Sequence, residues 1–202
     1  RAFMKIIILL LINPFFMSAC SMIPREETPA PTATYSWEEH QSNVSQMTRW
    51  VATGKIGIRT PDDSQSASLS WQQDQQAYEI SLKGPLGQGG ATISGDQHSA
   101  TLEIPGEQPI AAGSPEELLS LRLGWEIPVK DAQYWIKGIP APGSDYDTVL
   151  YENRLARLSQ QGWEIEYQNY LEADTTSLPG KLTLSRESLK LTLIIGNWRR
   201  ID

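Results

Sequence analysis

The sequence holds one cysteine, Cys20, and two histidines, His40 and His98. An intrachain disulfide is therefore excluded, and a clustered Cys/His metal site lacks ligands. Positive charge is also short. Seventeen Lys and Arg against 24 Asp and Glu leave a formal net charge of -7, without the basic excess that nucleic acid needs for counterion release. No apolar run approaches the roughly 20 residues of a membrane-spanning helix; the longest, Ile6 to Ile12, is broken by Asn13-Pro14. There is no G-x-S-x-G nucleophile motif, and Gly84, Gly87, Gly89 and Gly90 connect two strands, not a strand and a helix, so the phosphate-loop reading fails. What is present is 40% hydrophobic residues and 15 glycines in 202 residues, the composition of one folded domain.

The N-terminus reads as a secretory address. Lys5 and the aliphatic run lead to small Ser18 and Ala19 directly before the lone cysteine. Met17-Ser18-Ala19-Cys20 resembles a bacterial lipobox, which implies cleavage before Cys20 and its acylation; Met17 replaces the usual leucine. Three acyl chains exceed the two signals that stable anchoring takes. Ser21 stands where enterobacterial lipoproteins retained in the inner membrane carry aspartate, so the resemblance implies the outer membrane. The expected layout is a signal over residues 1–19, with residues 1–3 before Met4 extraneous to it, a lipidated N-terminus and flexible tether over 20–35, and one domain over 36–202. Pro24, Pro29 and Pro31 among small and charged residues carry the tether assignment.

Ser36-Trp37-Glu38-Glu39 is a capping box, followed at helical spacing by His40, Val44, Met47 and Val51. The period then becomes two: Trp50, Ala52, Gly54, Ile56 and Ile58; Ala67, Leu69 and Trp71; Tyr78, Ile80 and Leu82. Strands are likewise predicted at 91–95, 100–104, 147–151, 155–159, 163–167, 181–185 and 189–195. Half-buried antiparallel strands carry this alternation. Between the strand groups, Ser114-Pro115-Glu116-Glu117 starts a helix that closes near Gly124, and a second spans 129–136 and stops at Gly138. The expectation is a mainly β fold, an open, curved antiparallel sheet of about ten or eleven strands covered by short helices.

No catalytic constellation emerges. His40 lies on the apolar side of the first helix and His98 in a polar turn, and the acidic pairs fall in caps and turns. Two features remain. The concave face presents Ile56, Ile58, Leu69, Trp71, Tyr78, Ile80, Leu82, Trp163, Ile165, Tyr167, Leu182 and Leu184, with Leu191 and Leu193 beside them; such a face either fills with its own side chains or leaves a ligand cavity. Gly84-Pro85-Leu86-Gly87 is longer than a tight hairpin requires, so Leu86 either folds into the core or protrudes as a membrane-touching finger.

The lipobox, the tether, the Gly-Pro-Leu-Gly loop, Ser114 to Leu119, Gly124-Trp125-Glu126-Ile127-Pro128-Val129, Tyr134-Trp135-Ile136-Lys137-Gly138, Gly162-Trp163 and Trp198, in this order, resemble the LolB family of outer-membrane lipoprotein receptors. The resemblance implies an unclosed antiparallel β-barrel whose apolar cavity holds the acyl chains of a lipoprotein received from a LolA-type periplasmic carrier. It implies no enzyme activity, cofactor or metal, a monomer facing the periplasm, and Leu86 as the residue that promotes membrane insertion. Gly87-Gln88-Gly89-Gly90 departs from the polar and aliphatic pattern of better-known members. Two other readings stand beside it: a structural or assembly lipoprotein with a filled core and a protein partner, and a lipid hydrolase with His40 or His98 beside a serine.

Overall fold

A computed structural model describes residues 36–85, 89–173 and 176–201. The predicted signal and tether, and Leu86 and Gly87 of the loop, lie outside the described residues. The elements are α1 (Trp37–Ser45), β1 (Arg49–Arg59), β2 (Ser64–Asp74), β3 (Ala77–Lys83), β4 (Gly90–Gly95), β5 (Ala100–Glu103), β6 (Ile110–Ala112), α2 (Pro115–Leu123), α3 (Val129–Trp135), β7 (Tyr146–Tyr151), β8 (Arg154–Gln160), β9 (Trp163–Ala173), β10 (Thr176–Arg186) and β11 (Leu189–Arg200).

The eleven strands form one antiparallel sheet in the order β6-β5-β4-β3-β2-β1-β11-β10-β9-β8-β7. It consists of two meanders zipped together by β1 and β11. The free edges, β6 and β7, do not pair with each other, so the barrel is unclosed. The chain between those edges carries α2 and α3, and α2 packs against β5 and β6.

Local chemistry sets these boundaries. In α1, Glu39 N–H donates to Ser36 Oγ (3.2 Å) while Ser36 N–H donates to the Glu39 carboxylate (2.8 Å). In α2 the Ser114 hydroxyl accepts from Glu117 N–H, the Glu117 carboxylate reaches back to Gly113 N–H, and Gly124 ends the helix at φ +68. Gln161 (φ +52) and Gly162 (φ +76) make the positive-φ turn that suits a hairpin between β8 and β9. At the bulge between Thr53 and Gly54, a Cβ on Gly54 would stand 2.0 Å from the Ile194 carbonyl, so the two central strands meet only because that residue is glycine.

The structure departs from the sequence expectation in element lengths. The first helix ends at Ser45, not near Trp50, because Thr48 and Trp50 already belong to the turn and strand that pair with Asp74 and its neighbours. β9 runs on through residues 168–173, and β10 begins at Thr176 and runs past Pro179, which occupies an irregularity in the β9–β10 ladder where its missing N–H is tolerated. The three-residue edge strand β6 lies outside the strands that the sequence pattern predicts.

One core joins sheet and helices. Trp50 packs against Trp71 (5.5 Å between ring centroids) and Trp198 (5.4 Å), and Trp135 of α3 against Trp163 (6.2 Å). Buried polar groups tie the helices down. Gln160 accepts from Trp135 Nε1 (2.8 Å) and Ala141 N–H (2.9 Å) and donates to Ala141 O (2.8 Å). Tyr167 Oη donates to Trp135 O (2.9 Å). Lys137 is buried and donates from Nζ to Met47 O (3.0 Å) and Val44 O (3.4 Å), placing a cation at the C-terminal end of α1. Desolvation lowers its pKa to about 8. Burial, aided by the Arg154 charge, lowers His40 to about 4.

Candidate functional site

An apolar cavity of about 140 Å³ lies between the concave face of the sheet and the helical segment. Ile56 and Ile58 of β1, Leu69 and Trp71 of β2, Ile80 and Leu82 of β3, and Leu182 and Leu184 of β10 converge on it. Alternation puts them on one face, and the β1–β2, β2–β3 and β10–β11 registers bring them level: Gly54 opposite Leu69, Leu69 opposite Leu82, Leu182 opposite Leu193. These are eight of the twelve residues that the period-two pattern nominated.

The other four sit elsewhere. Tyr78 lines a polar recess of about 670 Å³ with Gln73, Asp96 and Tyr134, where burial raises its hydroxyl pKa to about 12. Trp163 packs against Trp135, and Ile165 and Tyr167 are enclosed in the core. The same alternation holds in β9, but α3 covers this part of the sheet. Strand periodicity cannot see which stretch of a concave face a helix will occupy.

Sequence reasoning missed the far wall. Ala91 and Ile93 of β4, Leu102 and Ile104 near β5, Leu118 and Leu119 of α2, the linker residues Trp125 and Ile127, and Val129, Ala132 and Ile136 close the cavity. The helical spacing of Val129, Ala132 and Ile136 is a usable signal for this wall. Leu191 and Leu193 of β11, which the sequence pattern already placed beside the concave face, line the cavity as well. Arg122 is the one charged lining residue, and its guanidinium is engaged by Glu107.

The chemistry available here is apolar contact. His40 is fully buried, tilted against Trp37 at 5.8 Å, and His98 is solvent-exposed in the β4–β5 turn, where Asp96 accepts from the His98 and Ser99 backbone N–H groups. Those hydrogen bonds lower the Asp96 pKa. The interior is neither completely filled nor, at rest, as large as a whole acyl chain: an apolar cavity of about 150 Å³ holds a group the size of benzene. Among the described residues no helix is long and apolar enough to cross a membrane.

The family described as "Outer membrane lipoprotein LolB" matches residues 48–198. The outer-membrane lipoprotein LolB of Stutzerimonas stutzeri is 39% identical over 185 residues, covering 91% of this chain and 90% of that protein. Those of Pseudomonas paraeruginosa and Pseudomonas syringae are 42% and 36% identical, covering 81% and 98% of this chain and 80% and 97% of theirs. A crystal structure of a LolA superfamily protein from Nitrosomonas europaea shares the fold, with a TM-score of 0.54 at 11% identity over 83% of this chain and 94% of that one. With the family match spanning three quarters of the sequence and these relatives covering nearly all of it, the chain belongs to the LolB family of outer-membrane lipoproteins.

Proposed function

We propose that this chain, anchored in the periplasmic leaflet of the outer membrane by acyl groups on Cys20, accepts lipoproteins from a LolA-type carrier and inserts them into that membrane. Residues 36–202 act as the lipoprotein-binding domain and residues 20–35 as its tether. The role is trafficking, without enzymatic chemistry.

The observation that carries this reading is the apolar cavity walled by sheet and helices. Such a void excludes water and favours a hydrocarbon guest. Each methylene it removes from water contributes about 0.8 kcal/mol, so about six methylenes contribute roughly 5 kcal/mol. The resting void of about 140 Å³ thus takes up part of one acyl chain. A carrier, a receptor and a bilayer of successively greater affinity move the cargo one way without nucleotide.

Leu86, framed by Gly84, Pro85 and Gly87, is the membrane-contacting residue in this reading. One leucine contributes about 1.5–3 kcal/mol on burial, enough for reversible contact. The test is transfer from purified carrier into liposomes: Leu86→Glu still takes cargo but deposits it poorly. Normal deposition by that variant refutes the finger, and a wild-type chain that takes no cargo refutes the receptor reading.

A further inference from the structure

The outer face of the sheet carries a charge pattern that the cavity does not use. Because Ile56, Ile58, Leu82, Leu182, Leu191 and Leu193 face the cavity, alternation turns Lys55, Arg59, Lys83, Lys181 and Lys190 to the opposite, convex side. The ladders place Lys83 level with Ser68, Ser68 with Lys55, Lys55 with Ile194, and Ile194 with Lys181. One row across five strands, roughly 20 Å wide at the ordinary strand spacing, therefore holds three lysines and an exposed isoleucine.

Four residues further along, Arg59 stands directly opposite Lys190. Like charges at facing positions destabilise a strand pair. None of the five cations has a carboxylate within ion-pairing distance among the described residues. Two acids on the same side, Glu164 and Glu166 of β9, are engaged by Ser159 (2.8 Å) and Arg157 (3.6 Å), and Glu79 and Glu103 lie further toward the β3–β5 side. In a chain of net charge -7, these five cations thus stand together without an ion-pair partner among the described residues, on strands rich in hydroxyl side chains.

We propose that this convex face docks on anionic phospholipid headgroups. The charge is complementary, and the occupant is at hand: fifteen residues separate Cys20 from Ser36, so a chain anchored at that cysteine keeps the domain within about 50 Å of the bilayer. Docking relieves the Arg59–Lys190 repulsion and orients the barrel, with Lys83 at the base of the loop that carries Leu86. The proposal depends on the Cys20 anchor of the preceding section and not on the cavity or the carrier.

The test reconstitutes the full acylated chain into vesicles of phosphatidylcholine alone or with about one third phosphatidylglycerol, and follows lysine acetylation by mass spectrometry. On the anionic vesicles Lys55 and Lys190 react about fivefold more slowly than on the neutral ones, while Lys130 on α3 reacts equally on both, and roughly 0.5 M salt abolishes the difference. At about fivefold per charge near the surface, Arg59→Glu with Lys181→Glu weakens docking by roughly 500-fold and restores labelling. Equal labelling on the two vesicles, or protection that survives the double substitution, overturns the proposal. So does protection that appears only when an acidic protein is added. Circular dichroism and Lys130 reactivity verify that the variant is folded. No cargo or carrier is present, so failure here leaves the transfer reading to its own assay, and loss of the chain from both vesicles reports failure of the anchor.

Discussion

Ala91→Phe separates stability from function at the cavity. Ala91 lies on β4 opposite Leu82 and contributes only a methyl to the cavity wall. The added ring matches the resting void, since about 140 Å³ is close to what benzene occupies in an apolar cavity of about 150 Å³. Burial of the ring contributes about 1.5–3 kcal/mol and the strain of fitting it costs about 1–3 kcal/mol, so the two nearly cancel. At about 2–4 °C per kcal/mol for a domain of this size, the melting temperature moves by less than roughly 8 °C. The cargo loses about six methylenes of contact, roughly 5 kcal/mol, or more than about a thousandfold in affinity. Thermal unfolding and carrier-to-receptor transfer measure the two effects on the same preparation. A folded variant that accepts cargo at the wild-type level refutes the assignment of this cavity to the acyl chain.

Three further outcomes follow from the buried polar groups. The folded His40 pKa of about 4 lies below the unfolded 6.5, so the unfolded chain binds the extra proton between those values; stability falls by about 3 kcal/mol as pH drops from 6.5 to 4, and His40→Leu removes that dependence in denaturant titrations. Lys137 titrates in the folded state near 8 against 10.5 unfolded, so wild-type stability relative to Lys137→Met rises by about 3 kcal/mol from pH 8 to 10.5; parallel curves refute burial of that amine. Gln160→Leu strands Trp135 Nε1, Ala141 N–H and Ala141 O, and costs about 2–4 kcal/mol in chemical denaturation while leaving the cavity wall intact.

Both helix caps around Ser36 and Ser114 form as their sequences predict, because their donors and acceptors are three residues apart and need no tertiary partner. The period-two strands are equally local: a residue's face follows from alternation once a strand exists. Alternation alone therefore puts Ile56, Leu69, Ile80 and Leu182 on the concave face. The same logic hides β6 and the strand through Pro179, where the ladder partner overrides weak propensity.

By itself, the sequence determined what chemistry is possible: too few thiols and imidazoles for a disulfide or a metal cluster, an apolar strand face, and one cysteine in a lipobox-like setting. Only the tertiary structure decided where that face stays open. α3 seals Trp163, Ile165 and Tyr167, while α2 and residues 125–127 leave a void over Ile58, Leu82 and Leu184. It also brought Arg59 against Lys190 from opposite ends of the folded chain. Periodicity assigns a side chain to a face, but which element covers that face depends on long-range pairing, here the β1–β11 seam that Gly54 permits.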